Sequence, residues 1–443
     1  MRVMDINELI YKVFQAGVVG AGGAGFPTHV KLKASVDTYL INGAECEPLL
    51  DGDKFLMTEK ADKLVSAGNE IAEALGGARL LFGLKAKNQE AGSALEEAGA
   101  ETVKIKDYYP AGDEVILIHE ALQRIVPEGK LPLSVGVVVN NVESLYNIYN
   151  AIQDIPVTHT FVSVGGAVNV PGLYRVPLGA SASDLLKAAG GVSIEDPVFV
   201  DGGPMMGTYR KTPDFPLTKI SKAVLVLPEK SALVKYETMP LSNMLKQARV
   251  ACCQCNQCTL ACSRNLVGYD LEPHKIMRAM AYGNQQNMEV LKTAMLCSEC
   301  NLCSGLHACP MQLSPRRVNQ EIKRSLREQG VKVDFPERTM EAHPLRDYRL
   351  LPGSRLKKRL QLDSYDIHSP FRGDLDVHQV KIPMKQHIGT PCVPVVEKGE
   401  KIRSGQIIGM IPEDALGSRI HASIKGVVSS VDPENVVIIK DEE

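Results

Sequence analysis

The sequence predicts a multidomain α/β and β protein with a helical, cysteine-rich module near its middle. Three observations lead there. Residues 1–155 alternate short valine- and isoleucine-rich runs with amphipathic stretches, the pattern of a parallel sheet covered by helices. Nine of the eleven cysteines crowd into two short runs between residues 252 and 309. Residues 156–235 and 375–443 instead string short β-rich segments between glycine turns. The boundaries that follow are 1–155, 156–235, 236–330 and 375–443, with a proline- and charge-rich linker over 331–374.

At 443 residues and 44% hydrophobic content, the chain can build several packed cores. Its 50 basic and 52 acidic side chains leave a net charge of −2, which favours neither nucleic acid nor an acidic membrane surface as partner. No apolar run reaches the eighteen or so residues of a membrane span, and the first residues lack the pattern of a signal peptide. The expected location is cytoplasmic. In that reducing compartment, clustered cysteines are metal ligands more readily than disulfides.

The first segment, MRVMDINELIYKVFQAG, reads as an amphipathic helix. Asp5 and Glu8 form a capping box, Leu9, Ile10, Val13 and Phe14 an apolar face, and Gly17 the stop. GVVGAGGAGFPTHVK follows, with glycines at 17, 20, 22, 23 and 25. Such a loop lets backbone N–H groups approach a phosphate, although a plain turn has the same composition. It does not follow a strand as G-x-G-x-x-G, so an ordinary dinucleotide fingerprint is not supported. ARLLFGL, ETVKIKDYY and SVGVVVNNV are the strands, and NQEAGSALEEAG and DEVILIHEALQRIV the intervening helices.

Cys252, Cys255, Cys258 and Cys262 are spaced C-x2-C-x2-C-x3-C; Cys297, Cys300, Cys303 and Cys309 are spaced C-x2-C-x2-C-x5-C, with Pro310 next. Three thiolates at intervals of three wrap a [4Fe–4S] cube, and the fourth comes from farther away. Structural zinc, the alternative, takes two separated C-x2-C pairs and would leave a thiolate over in each triplet. In two-cluster ferredoxins the fourth cysteine of each run serves the other cluster. That scheme groups Cys252, Cys255, Cys258 and Cys309 around one cube, and Cys297, Cys300, Cys303 and Cys262 around the other. Cys253 reads as a residue packed beside a cluster, with a ligand role as the alternative, Cys46 as a packed residue rather than a redox thiol, and Cys392 as structural. HKIMRAMAYGNQQNMEVLKTAML turns the chain back between the runs, and a helix capped by Ser314, with Pro315 first, runs to Gly330.

From residue 158, strands broken by G-G and P-G precede a helix, and FVDGGPMMG closes the unit. In 331–374, RLKKRL reads as a solvated basic face, with partner docking as the alternative. The tail, VKIPMKQHIGTPCVPVVEKGEKIRSGQIIGMI and RIHASIKGVVSSV, alternates short strands with glycine turns, and His387 and Cys392 within it read as structural.

GAGGAGFPTHVK, YLINGAECEPLLDGDK and NNVESLYN together resemble the flavin- and NADH-binding subunit of respiratory complex I and, more strongly, the C subunit of the Rnf electron-transport complex. The resemblance implies a Rossmann-like FMN/NADH domain over 1–155. It implies FMN contacts from the loop glycines Gly20, Gly22, Gly23 and Gly25, and from Lys31, Asn42, Glu45, Asn140 and Asn141. Nicotinamide-side roles fall to Phe26, Glu47, Gly112 and Glu114, with Glu47 and Glu114 as the catalytic candidates. Ala21 stands where the complex I family has arginine. Residues 156–235 resemble the soluble-ligand-binding β-grasp module, as ligand binder or as spacer, and 375–443 the barrel-sandwich hybrid related to lipoyl carriers. In the Rnf subunit the barrel comes first; here it comes last. Flavin domain, β-grasp, two clusters and barrel in that order resemble the cobalamin reductases of propanediol-utilisation microcompartments. That family implies NADH as donor, FMN and two [4Fe–4S] clusters as cofactors, and a corrinoid or an adenosyltransferase as partner. A microcompartment shell protein is a further partner, and the microcompartment the location. A membrane-peripheral Rnf-type subunit, or an electron-transfer scaffold without flavin, are the other readings.

Overall fold

The computed structural model describes residues 4–283, 287–367 and 369–441. Its amino-terminal sheet comprises β1 (Thr38–Gly43), β2 (Arg79–Lys85), β3 (Thr102–Ile105) and β4 (Val137–Asn141). All three pairings are parallel and the spatial order is 3-2-1-4. A parallel sheet is buried on both faces, which is why these strands read as continuous apolar runs. Tyr39, Ile41, Phe82 and Val138 face a core built with helices Ile6–Gln15, Ala61–Ala74 and Val142–Ile152. Leu40, Leu81, Val137 and Val139 face the opposite way, toward helix Glu114–Leu122 and the cysteine module's Ile276, Met277, Val318 and Ile322. The cysteine module therefore packs directly on the back of the first sheet.

The first helix is capped by Asp5, whose carboxylate accepts from the Asn7 N–H at 3.0 Å, one residue earlier than a capping box requires. The expected long helix after Asp113 stops at Leu122, where Gln123 turns left-handed with φ 56°. In the turn-back segment, helix Pro273–Ala281 and the short turns Met288–Leu291 and Lys292–Leu296 are present; residues 284–286 of it lie outside the described residues.

The second unit is a six-stranded mixed sheet. Strands His159–Gly166, Gly172–Pro177, Pro197–Asp201, Thr208–Arg210 and Ala223–Pro228 supply five positions, and Phe371–Asp374 adds an edge. The stretch expected to be a linker thus carries elements of its own. Leu351–Pro352 pairs antiparallel with Tyr108–Tyr109, and helix Gly353–Arg359 follows at once. The reason is an apolar rhythm hidden among the charges: Leu351, Leu356, Leu360 and Leu362 are buried, while Arg355, Lys358 and Arg359 are exposed and Lys357 is half-buried against Asp366. The tail is a two-sheet sandwich whose core, with Ile382, Ile408, Ile420 and Ile438, is continuous with that of the second unit.

Candidate flavin site and cysteine quartets

The strand order reverses between β1 and β4, and ligands of open α/β sheets sit outside the strand ends at such a point. Asn42 and Asn141 are paired in register there, at the carboxyl ends of the two strands. Over them lies the glycine loop, closed at its base by the Gly20 N–H donating to the Phe26 carbonyl at 2.9 Å and by a bridge from Val19 to Pro27. A Cβ on Gly22 would come within 2.9 Å of Asn141 Cβ, so only glycine lets the loop lie this close. Gly23 has open space where a side chain would be. The Ala21 N–H donates to Ser144 Oγ at 2.9 Å, so position 21 is a buried backbone anchor.

Lys31 reaches in beside the loop, donating to the Val139 carbonyl at 3.0 Å and pairing with Glu114 at 3.2 Å. Asn42 donates to the Gly112 carbonyl at 2.9 Å, tying β1 to the YPAGDE loop. These expected site residues converge. Two do not face the same space. Asn140 is buried with its amide on the Tyr39 hydroxyl at 3.0 Å, and Gly25 is held by the tail, whose Ile388 N–H donates to its carbonyl at 3.1 Å. Gly25 has φ 70°, and a Cβ there would meet His387 Cα at 3.1 Å.

Glu45 and Glu47 flank Cys46 just beyond β1. One Glu45 oxygen accepts both the Cys46 and Glu47 N–H groups, at 2.7 and 2.9 Å. Burial, with the nearby Asp53 charge, raises its pKa above the ordinary carboxylate range. Glu47 accepts from the Met205 N–H at 2.9 Å and from the Tyr109 hydroxyl at 3.4 Å; burial lifts it to about 8, so at neutral pH it holds a proton. Cys46 accepts from the Gly112 N–H at 2.7 Å and is pushed by burial to about 12, a neutral thiol rather than a nucleophile.

Sequence reasoning missed the charge network beneath this site. Lys222, from the second unit, lies 3.1 Å from Asp53 and 2.5 Å from Glu143, both almost wholly buried. Burial works to lower the Lys222 pKa, but the two carboxylates overcome it and hold it above the ordinary lysine range. Asp53 also takes the Asn141 amide at 2.5 Å, which connects the network to the floor under the glycine loop.

The eight ligand candidates separate into the two crossed quartets. Cys252, Cys255, Cys258 and Cys309 line one cavity, together with Cys253, which is exposed rather than packed, and Cys262, Cys297, Cys300 and Cys303 line another. The two loops repeat one backbone: Gln254 and Asn256 flank Cys255 at φ 54° and 63°, and Glu299 and Asn301 flank Cys300 at 63° and 70°. Left-handed backbone on either side of the middle cysteine curls each triplet around its cavity, and such non-glycine conformations are uncommon without a local reason. A cube spreads its thiolate ligands over four corners, and each cavity has cysteines on several sides of it. The residues fit two cubes. The flavin site fits as well: besides Gly22 and Gly23, the buried Thr28 hydroxyl at the loop's exit has no partner among the described residues.

The two sites touch. Arg264, lining the second quartet's cavity, donates to Asp113 at 2.9 Å, and Asp113 caps the helix that begins at Glu114. No sequence signal marks this pair, since the residues lie 151 positions apart.

Four family models match: the Nuo51 FMN-binding domain at residues 13–150, the SLBB domain at 161–209, a 4Fe-4S dicluster domain at 251–314 and the RnfC barrel sandwich hybrid domain at 372–442. The chain is 40% identical to cobalamin reductase PduS of Citrobacter freundii over 98% of its own length and 97% of the relative's. It is 40% identical to PduS of Salmonella typhimurium over 99% and 97%. The C subunit of the proton-translocating ferredoxin:NAD(+) oxidoreductase complex of Clostridium ljungdahlii is 32% identical over 60% of this chain and 58% of that protein. Likeness that runs without a break through flavin, SLBB, cluster and barrel segments, in this order, is found with the first two, and the chain belongs to the PduS family of cobalamin reductases.

Proposed function

We propose that the chain takes hydride from NADH at a flavin held over the β1/β4 reversal and delivers single electrons, through two [4Fe–4S] clusters, to the cobalt of cob(III)alamin and cob(II)alamin. FMN supplies the change from two-electron to one-electron chemistry, and the cubes carry the electrons singly. The observation that carries this reading is the division of eight cysteines into two cavities, one of them tied to the flavin domain through Arg264 and Asp113.

The chain's own residues prepare the site. Beyond the anchored Gly20 and Ala21 N–H groups, the loop from Gly22 to Gly25 offers backbone N–H groups to phosphate, and Lys31 sets a point charge beside it. Glu114 holds Lys31 in place. Glu47, protonated at neutral pH and fixed between Met205 and Tyr109, adds no second negative charge where a dianionic dinucleotide would approach. Asn42 fixes the Gly112 carbonyl and so the YPAGDE loop over the nicotinamide side.

A corrinoid, alone or on an adenosyltransferase, is the acceptor in this reading, and a microcompartment with its shell protein the setting. Among the described residues no helix is long and apolar enough to cross a membrane. Anaerobic reconstitution with FMN, iron and sulfide tests it: the protein oxidises NADH and reduces cob(III)alamin. NADH oxidation with no corrinoid reduction under any acceptor protein would overturn it. The likeness to the Clostridium ljungdahlii protein supports a second reading, a component of an Rnf-type membrane complex; co-purification with membrane partners would favour that one.

A further inference from the structure

We infer that electrons reach the cluster module at the Cys262, Cys297, Cys300 and Cys303 quartet and leave it from the Cys252, Cys255, Cys258 and Cys309 quartet. The inference rests on the flavin-to-cluster function proposed above and assigns its direction through the module.

The first of these quartets is the inner one. Cys262, Cys300 and Cys303 are 8%, 9% and 7% exposed. Two polar contacts tie its surroundings to the flavin site, one directly and one through the second unit. Arg264 pairs with Asp113, and the Asn301 amide donates to the Met205 carbonyl at 3.2 Å. The N–H of that same Met205 is held by Glu47, so only one residue lies between the acid pair and the loop of Cys300. Tyr109 and Pro110 share a further small cavity with Ser263 and Leu302, and Ser263 Oγ is 3.9 Å from Cys300 Sγ.

The second quartet is the outer one. Cys255 is exposed, as is its neighbour Cys253, and Cys252, Cys258 and Cys309 are half-buried. None of the polar contacts around it leads to the flavin site: Gln254 to Cys252 Sγ at 3.1 Å, Thr259 to His274 at 2.8 Å and Gln247 to the Met311 carbonyl at 3.1 Å lie inside the module, and Arg359, from the segment after it, donates to the His307 carbonyl at 3.0 Å. The outer quartet alone presents an exposed ligand, Cys255, to a large acceptor, whereas the inner one, with Cys297 half-buried and its other three cysteines buried, faces the flavin domain. NADH leaving as NAD⁺ and a proton gives up two electrons. They cross the inner and then the outer quartet one at a time, each lowering one corrinoid cobalt by one oxidation state, and no bond to the protein forms.

Freeze-quench EPR of the reconstituted holoprotein tests the order. With Cys300→Ser, the remaining cluster is reduced by dithionite but by NADH at least tenfold more slowly than in the unaltered protein. With Cys255→Ser, the remaining cluster is reduced by NADH within twofold of the original rate. The reverse pattern would overturn the inference. Should either variant lose both clusters, the unaltered holoprotein decides with dysprosium–EDTA as a water-borne relaxant. The cluster signal that develops first after NADH is expected to be spared and the later one relaxed; relaxation of the first signal overturns the order. Flavin bleaching is followed in the same mixes. No bleaching by NADH defeats the proposed function and this inference with it, whereas bleaching with the wrong cluster order defeats the inference alone.

Discussion

Replacing Lys222 by methionine removes the cation that pairs with Asp53 and Glu143, whose side chains are 2% and 1% exposed. Removing one partner of a buried ion pair costs about 3–5 kcal/mol, because the charge left behind has no compensation. Here the lower end applies. Glu143 keeps the Thr160 hydroxyl at 2.9 Å and the Phe161 N–H at 3.1 Å, and Asp53 keeps the Asn141 amide. For a folding unit of the size formed by the first two domains, roughly 3 kcal/mol lowers Tm by about 6–12 °C. Calorimetry of the reconstituted holoprotein, with flavin fluorescence marking the transition, measures the shift. Because Asp53 holds Asn141 under the glycine loop, FMN affinity falls in the same variant. Adding Asp53→Asn and Glu143→Gln to Lys222→Met recovers most of the loss, since neutral partners no longer need a cation. A Tm within about 1 °C of the original, or a triple variant no better than the single one, would refute the argument.

Three other outcomes follow from the geometry. Glu47 has an ordinary carboxylate pKa when unfolded but about 8 when folded, so its stabilising effect is complete below roughly pH 4.5 and is lost as pH rises to about 8; Glu47→Gln therefore gains Tm relative to the original protein across that window, and parallel Tm–pH curves would count against a buried protonated acid. Gly25→Ala puts a Cβ at φ 70° against His387 and Ile220, costing about 1–2 kcal/mol for the left-handed backbone before any clash, and it weakens FMN retention, as equilibrium dialysis would record. Cys255→Ala lowers bound iron by about four atoms per chain and leaves flavin content unchanged; loss of all iron would mean that the module folds only around its metal.

What was legible in the sequence is what depends on local spacing. The two cysteine triplets and the outlying Cys262 and Cys309 follow from intervals alone, and the crossed grouping matches the two cavities. The strands β2, β3 and β4 were legible because burial on both faces leaves apolar runs such as VGVVVNN, whereas the central β1, Thr38–Gly43, was not among the runs read as strands. Residues 331–374 were harder, because four leucines spaced for packing are diluted by arginine and lysine, and average composition conceals them. Lys222 and Arg264 were not legible at all. Lys222 meets Asp53 and Glu143 from 169 and 79 residues away, Arg264 meets Asp113 from 151, and a single lysine or arginine in an unremarkable context carries no mark of the carboxylate it will meet. Asn140 and Asn141, adjacent and chemically alike, were expected to act together; strand alternation sends one to Tyr39 and the other to Asp53.

The tail's grip on the glycine loop has a bearing on how such chains are assembled. Arg419 lies over the Phe14 ring and bonds Gln15, its carbonyl and that of Gly17 share the Lys219 ammonium, and Gln386 receives the Lys219 N–H. Residues encoded some 400 codons apart in the gene are therefore immediate neighbours in space. A segment seated against the first helix is encoded here behind the clusters, at the far end of this sequence. What the contact asks is that the segment reach the flavin loop, and a contact through space carries no requirement on chain position.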